Sequence, residues 1–129
     1  MDGLDDDLSI NSYLGISGNN PRSVSMWMKS SDLTGGLLGW GSASNHWNLA
    51  WNSTGPRIET NASFYEQGIF SLNDNQWHHL VTTFGGGNKK IYVDGVQVAS
   101  ASQTGSVTAS GLPLIFGDPI AKTDDRPKI

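Results

Sequence analysis

Among the residues able to do chemistry, an acidic run stands first: Asp2, Asp5, Asp6 and Asp7 lie within six positions of one another. Ca²⁺ takes several hard oxygen ligands, and loop carboxylates beside backbone carbonyls supply them, although this spacing is not that of an EF-hand. The same run also reads as a solvated acidic turn ahead of a first strand. His78 and His79 are adjacent, and on a strand successive side chains point to opposite faces, so the two imidazoles cannot converge on one ion. His46 falls in an Asn- and Ser-rich stretch, placed by its composition in a loop where a ligand contact is available. Glu59 and Glu66 are the only glutamates. Asn61-Ala62-Ser63 reads as a loop between them, which separates them too far along the chain for the paired carboxylates of glycoside hydrolysis. No nucleophile elbow, P-loop or His-Glu-x-x-His motif occurs, and Gly85-Gly86-Gly87 precedes a strand instead of a helix N-terminus, so it is unsuited to cradling phosphate. No catalytic residue is assigned and the chain is expected not to be an enzyme.

Five tryptophans call for a role: Trp27, Trp40, Trp47, Trp51 and Trp77. Indole rings bury the C–H faces of sugars while amides, carboxylates and imidazoles fix the hydroxyls, which is the composition a carbohydrate site requires. The segment from Ser44 to Asn52 has that make-up. Alternation places Trp47, Leu49 and Trp51 on one face and Asn48 and Ala50 on the other, an arrangement that equally suits a core strand. Trp27 and Trp77 are assigned to the core from their strand positions. A glycan groove, if formed, is expected at Asn45, His46, Trp47, Asn61 and Tyr65.

The elements that must position these residues are short strands. Apolar residues alternate with polar ones in runs bounded by Gly, Asn, Asp, Ser or Pro, the period of half-buried antiparallel strands. The runs are 8–10, 23–29, 37–40, 47–51, 57–60, 68–72, 77–85, 89–93, 96–101 and 112–117. Lys89 to Ala99 holds two such runs around Asp94-Gly95, which supplies the positive φ angles of a type I′ hairpin turn. No helix, internal repeat or linker is expected, so the chain reads as one all-β domain, residues 1–129, an antiparallel sandwich or jelly roll.

Composition agrees and excludes other classes. Gly numbers 16 and charged residues make up 16% of the 129 positions, a balance of turns and short strands. The net charge is −4, with basic residues scattered; that argues against nucleic acid as a partner. Cysteine is absent, which removes disulfides and thiolate metal sites. Neither a signal peptide nor an apolar run long enough to span a membrane is present. Two Asn-x-Ser/Thr triplets, at Asn52 and Asn61, could accept glycans in a secretory pathway.

Taken in order, several runs resemble the laminin-G-like members of the concanavalin-A-like superfamily over positions 2 to about 118. The start Met1-Asp2-Gly3-Leu4-Asp5-Asp6 is similar to the family's aromatic-Asp-Gly opening, and Ser23 to Lys29 to its strand centred on Trp. Most specific are Asn75-Gln76-Trp77-His78-His79-Leu80-Val81 and Tyr92-Val93-Asp94-Gly95, which resemble the family's Trp-His-His strand and its hairpin. The resemblance implies a jelly roll, an inward hydrogen-bonded histidine at position 78 or 79, and a structural Ca²⁺ at the rim pointing to Asp2 and Gly3, with Asp5 and Asp118 as further ligands. It also implies an extracellular or surface-exposed binding or adhesion module for a glycan or protein. Alternatives are a decoration domain of a virion, pilus or surface layer, and, least favoured, a glycosidase relative. The family's closing strand has no counterpart before Ile129, so the chain is expected to be a fragment with an open sheet edge. Such an edge invites homo-oligomers or a strand-complementing partner.

Overall fold

The computed structural model describes residues 8–13, 15–42, 45–60, 64–102 and 112–117. Ten strands run through them: β1 (Leu8–Tyr13), β2 (Arg22–Met28), β3 (Gly35–Ser42), β4 (Asn45–Asn52), β5 (Gly55–Thr60), β6 (Phe64–Gln67), β7 (His78–Gly85), β8 (Asn88–Val93), β9 (Val96–Ser102) and β10 (Leu112–Phe116). They form a six-stranded sheet in the order β1-β10-β3-β4-β5-β6 and a four-stranded sheet in the order β2-β7-β8-β9. Every neighbouring pair is antiparallel. Among the described residues there is no helix.

Two-residue periodicity builds the layers. Along β7, His78, Leu80, Thr82 and Phe84 are buried and the intervening residues are not, while β4 sends Trp47, Leu49 and Trp51 toward them. Phe84 meets Trp47 edge-on at 5.8 Å between centroids, and β8 packs over β5. Each large apolar side chain taken fully out of water contributes roughly 1.5–3 kcal/mol, so Trp47, Leu49, Trp51, Ile58, Leu80 and Ile91 carry much of the stability. A charge also lies inside: Arg22 is 4% exposed. Its guanidinium sits 5.2 Å from the ring centroids of both Trp47 and Phe84. Burial is offset by hydrogen bonds donated to the carbonyls of Ile16, Gly18 and Asn20 at 3.0, 2.6 and 3.1 Å.

The turns follow the local chemistry. Asp94 and Gly95 have φ of 51° and 83°, the type I′ geometry expected of that dipeptide. The glycine run is tighter than a flexible connection, because Gly85 pairs with Asn88 and only Gly86 and Gly87 lie between them. Two expectations are corrected. The run 68–72 forms no strand; its amides at Gly68 and Phe70 instead donate to the carbonyls of Pro56 and Thr54, and β6 lies just before it. Trp27 and Trp77 are not core: they are 62% and 63% exposed, because the face that Trp27 shares with Ser23 and Ser25 looks outward.

Candidate functional site

The outward face of the larger sheet, across β4, β5 and β6, is polar. Because Trp47, Leu49 and Trp51 point into the core, Asn48, Ala50 and Asn52 lie on the opposite face, where Asn48 and Ala50 are nevertheless buried and Asn52 is half-buried. The register sets Asn48 beside Glu59, Ala50 beside Arg57, Glu59 beside Tyr65 and Arg57 beside Gln67. Asn52, Thr54, Arg57, Glu59 and Gln67 line a cleft of about 500 Å³, within the size range of small-molecule sites.

One wall of the cleft is rigid. Asn52 Nδ2 donates to Gln67 Oε1 at 3.0 Å, and Asn52 Oδ1 accepts from the amides of Thr54 and Gly55 at 2.9 and 3.3 Å. Gln67 Nε2 reaches the carbonyls of Gly55 and Pro56 at 2.8 and 3.0 Å. Gly55 makes this crossing, with φ 146°; a Cβ there would come within 2.6 Å of the carbonyl oxygens of Gly68 and Phe70. The other groups are less committed. Arg57 Nη2 and Glu59 Oε1 form an ion pair at 2.9 Å, with side chains 21% and 22% exposed. Arg57 Nε, His46 Nδ1 and both amide atoms of Asn48 are buried without a hydrogen-bond partner among the described residues. Leaving such a group unsatisfied costs about 1–3 kcal/mol.

The expected groove residues are divided by this geometry. His46 and Trp47 are each 1% exposed, and His46 lies on β4, not in a loop. Trp47 stacks on Trp40 at 6.0 Å inside the core, so its ring faces are spent on packing and it cannot stack on a sugar. Asn45 begins β4, and Tyr65 lies on β6, paired with Glu59. Asn61 lies outside the described residues, as do Asp2, Gly3, Asp5 and Asp118 of the expected Ca²⁺ set. Among the described residues no group of three or more His, Cys, Asp or Glu is placed to hold a metal. The register pairs Glu66 with Ile58 and Glu59 with Tyr65, so the two glutamates are not paired with each other. Asn52, Arg57, Glu59 and Gln67 were not among the residues expected to form a groove, although Glu59 had been weighed as a catalytic carboxylate; yet a signal existed, since Arg57 and Glu59 are two apart on a strand.

The histidine pair splits as its strand position requires. His78 points inward and is clamped by carboxylates, Nδ1 to Asp94 Oδ2 at 2.8 Å and Nε2 to Asp74 Oδ1 at 3.1 Å. His79 lies outside, stacked on Trp27 at 5.0 Å and hydrogen-bonded to Ser25 Oγ at 2.8 Å.

Comparison with known proteins agrees with this architecture. The profile of a family described as the concanavalin A-like lectin/glucanases superfamily, laminin G type, matches residues 2–126. No curated protein sequence matches the chain. Among solved structures, domains LG4-5 of the mouse laminin alpha1 chain superpose with a TM-score of 0.74 at 16% identity, over 95% of this chain and 36% of that one. The CBM40 module of the Ruminococcus gnavus IT-sialidase, bound to alpha2,3 sialyllactose, gives 0.68 at 11% identity, over 94% and 85%. Domain 4 of AbnA, an extracellular arabinanase of Geobacillus stearothermophilus, in complex with arabinotriose, gives 0.63 at 22% identity, over 88% and 57%. The chain thus spans about a third of the laminin structure it matches. With the sandwich, the hairpin and the profile in accord over nearly its whole length, the chain belongs to the laminin G-like family of the concanavalin A-like lectin/glucanase superfamily.

Proposed function

We propose that this domain is a non-catalytic binding module that holds a glycan in the polar cleft on the outward face of β4, β5 and β6. The observation that carries the reading is the Arg57–Glu59 pair, partly exposed in a cleft of about 500 Å³ that Asn52 and Gln67 also line. A guanidinium and a carboxylate side by side donate to and accept from neighbouring hydroxyls of one sugar ring, and an amide does both. The sialyllactose and arabinotriose held by two structural neighbours support the ligand class. That one of these neighbours belongs to an extracellular arabinanase also supports an extracellular or surface location.

The test is isothermal titration against a panel of neutral and acidic oligosaccharides, with Glu59→Gln and Arg57→Ala beside the parent chain. One class of sugar binds the parent saturably, and each variant binds it at least tenfold more weakly, about 1.4 kcal/mol, with its melting temperature little changed. Absence of binding across the panel, or equal affinity in both variants, overturns the reading. A structural Ca²⁺ at Asp2, Gly3, Asp5 and Asp118 is a separate proposal, supported by the acidic opening alone. It requires a lower melting temperature in EDTA, and identical melting curves exclude it.

A further inference from the structure

An ionised carboxylate only accepts hydrogen bonds and a guanidinium only donates them, whereas a sugar hydroxyl does both. The bonds already made inside the polar cleft therefore fix what a ligand must supply. Glu59 gives Oε1 to Arg57 Nη2 at 2.9 Å; its two oxygens offer about four acceptor sites, so Glu59 still calls for donors. Arg57 has N–H groups beyond the one spent on Glu59 and calls for acceptors. The amides are more fully committed. Asn52 Oδ1 takes the amides of Thr54 and Gly55. Gln67 Nε2, with its two hydrogens, already meets the carbonyls of Gly55, Pro56 and Gly68 at 2.8, 3.0 and 3.2 Å. Gln67 Oε1 accepts from Asn52 Nδ2 and carries a second lone pair, another call for a donor. Charge closes on itself in the same place. The lining residues Asn52, Thr54, Arg57, Glu59 and Gln67 bring one positive and one negative side chain, and these two are paired with each other.

Resting on the glycan reading of this same cleft, we infer that its ligand class is neutral: a saccharide presenting free neighbouring hydroxyls, without a carboxylate or sulfate at the site. Two adjacent hydroxyls donate to Glu59 and Gln67 Oε1 and accept from Arg57 in one placement. An acidic group brings acceptors only, so it answers Arg57 and leaves Glu59 and Gln67 unanswered. To reach Arg57 it must displace Glu59 or lie against its carboxylate, and the pair is only about a fifth exposed, so water screens that repulsion incompletely. The net charge of −4 on the whole chain acts in the same direction. Glu59 is thereby a specificity residue, which both takes sugar hydroxyls and withholds Arg57 from anions.

Two matched pairs of probes test this: galactotriose against trigalacturonic acid, and lactose against sialyllactose, each titrated into the parent chain and Glu59→Gln at low and high salt. A neutral probe is expected to bind the parent saturably, at least tenfold more tightly than its acidic partner, with a Kd that salt leaves unchanged. In Glu59→Gln the neutral probe weakens while the acidic partner binds more tightly than it binds the parent, because the guanidinium is released. A variant that was merely damaged in folding would weaken both. An acidic probe that binds the parent as tightly as its neutral partner, or that gains nothing in Glu59→Gln, overturns the inference and leaves the cleft a glycan site. Absence of binding by all four probes overturns the glycan reading, and this inference with it.

Discussion

The inward histidine shows what a single residue can be asked to do. Burial disfavours a charge on His78, but the hydrogen bonds to Asp94 and Asp74 outweigh it, and its pKa is raised. Asp94 is lowered by its bond to His78 and by the His79 amide; Asp74 is lowered first by the Gln76 amide and then by His78. The raised histidine contributes stability in full below its unfolded pKa of about 6.5 and loses it as pH climbs through the higher folded value. The lowered carboxylates contribute above their unfolded pKa of about 4 and lose it as pH falls through the lower folded values. The clamp is therefore strongest between about pH 4 and 6.5. Melting temperatures of the parent and His78→Gln should differ most in that window and converge as pH rises above it; a gap that widens toward alkaline pH contradicts the charged clamp. Alternation along the strand made one inward histidine legible, but its partners, in a loop and a hairpin turn, are set by the tertiary fold. The tryptophans teach the reverse lesson. Ser23 and Ser25 share the face of Trp27 and marked it as solvent-facing, and the size of the indole outweighed them in the core assignment.

Elements were legible wherever local chemistry and tertiary environment agree. The Lys89 to Ala99 hairpin needed only its alternation and Asp94-Gly95, and β7, with buried and half-buried residues in strict alternation, repeats the apolar period of its sequence. The segment after Gln67 shows why agreement fails. Leu72 is fully buried and Ile69 fully turned to solvent, so the run alternates like a strand. Its hydrogen bonds, however, go to Thr54 in the turn joining β4 to β5 and to Pro56 at the start of β5, and the ladder partner on that side of β5 is Phe64–Gln67. The polar cleft has the same origin. Period-two spacing placed Asn48 and Ala50 outward, but bringing Arg57, Glu59 and Gln67 alongside them requires two strand registers, which alternation alone does not set.

At the scale of the whole molecule, the sandwich architecture followed from the number and spacing of the strands, whereas the mismatch between six strands and four did not. Which strand lies over which depends on packing between layers, as between Trp47 and Phe84, and no local pattern encodes it. The mismatch predicts an uneven distribution of stability. β4, β5, β7 and β8 each have a strand on both sides and the core beneath them, so their amides open only with the whole domain. β1 is bonded to β10 alone, all but one of its residues are exposed, and its ladder shifts register between Ile10 and Tyr13. Native-state hydrogen exchange should thus find the slowest amides in the four central strands, at one common free energy, and much faster exchange in β1 through local opening. Protection in β1 equal to that of β4 would mean that its inner face is covered in solution, and the uneven sandwich would have to be redrawn there.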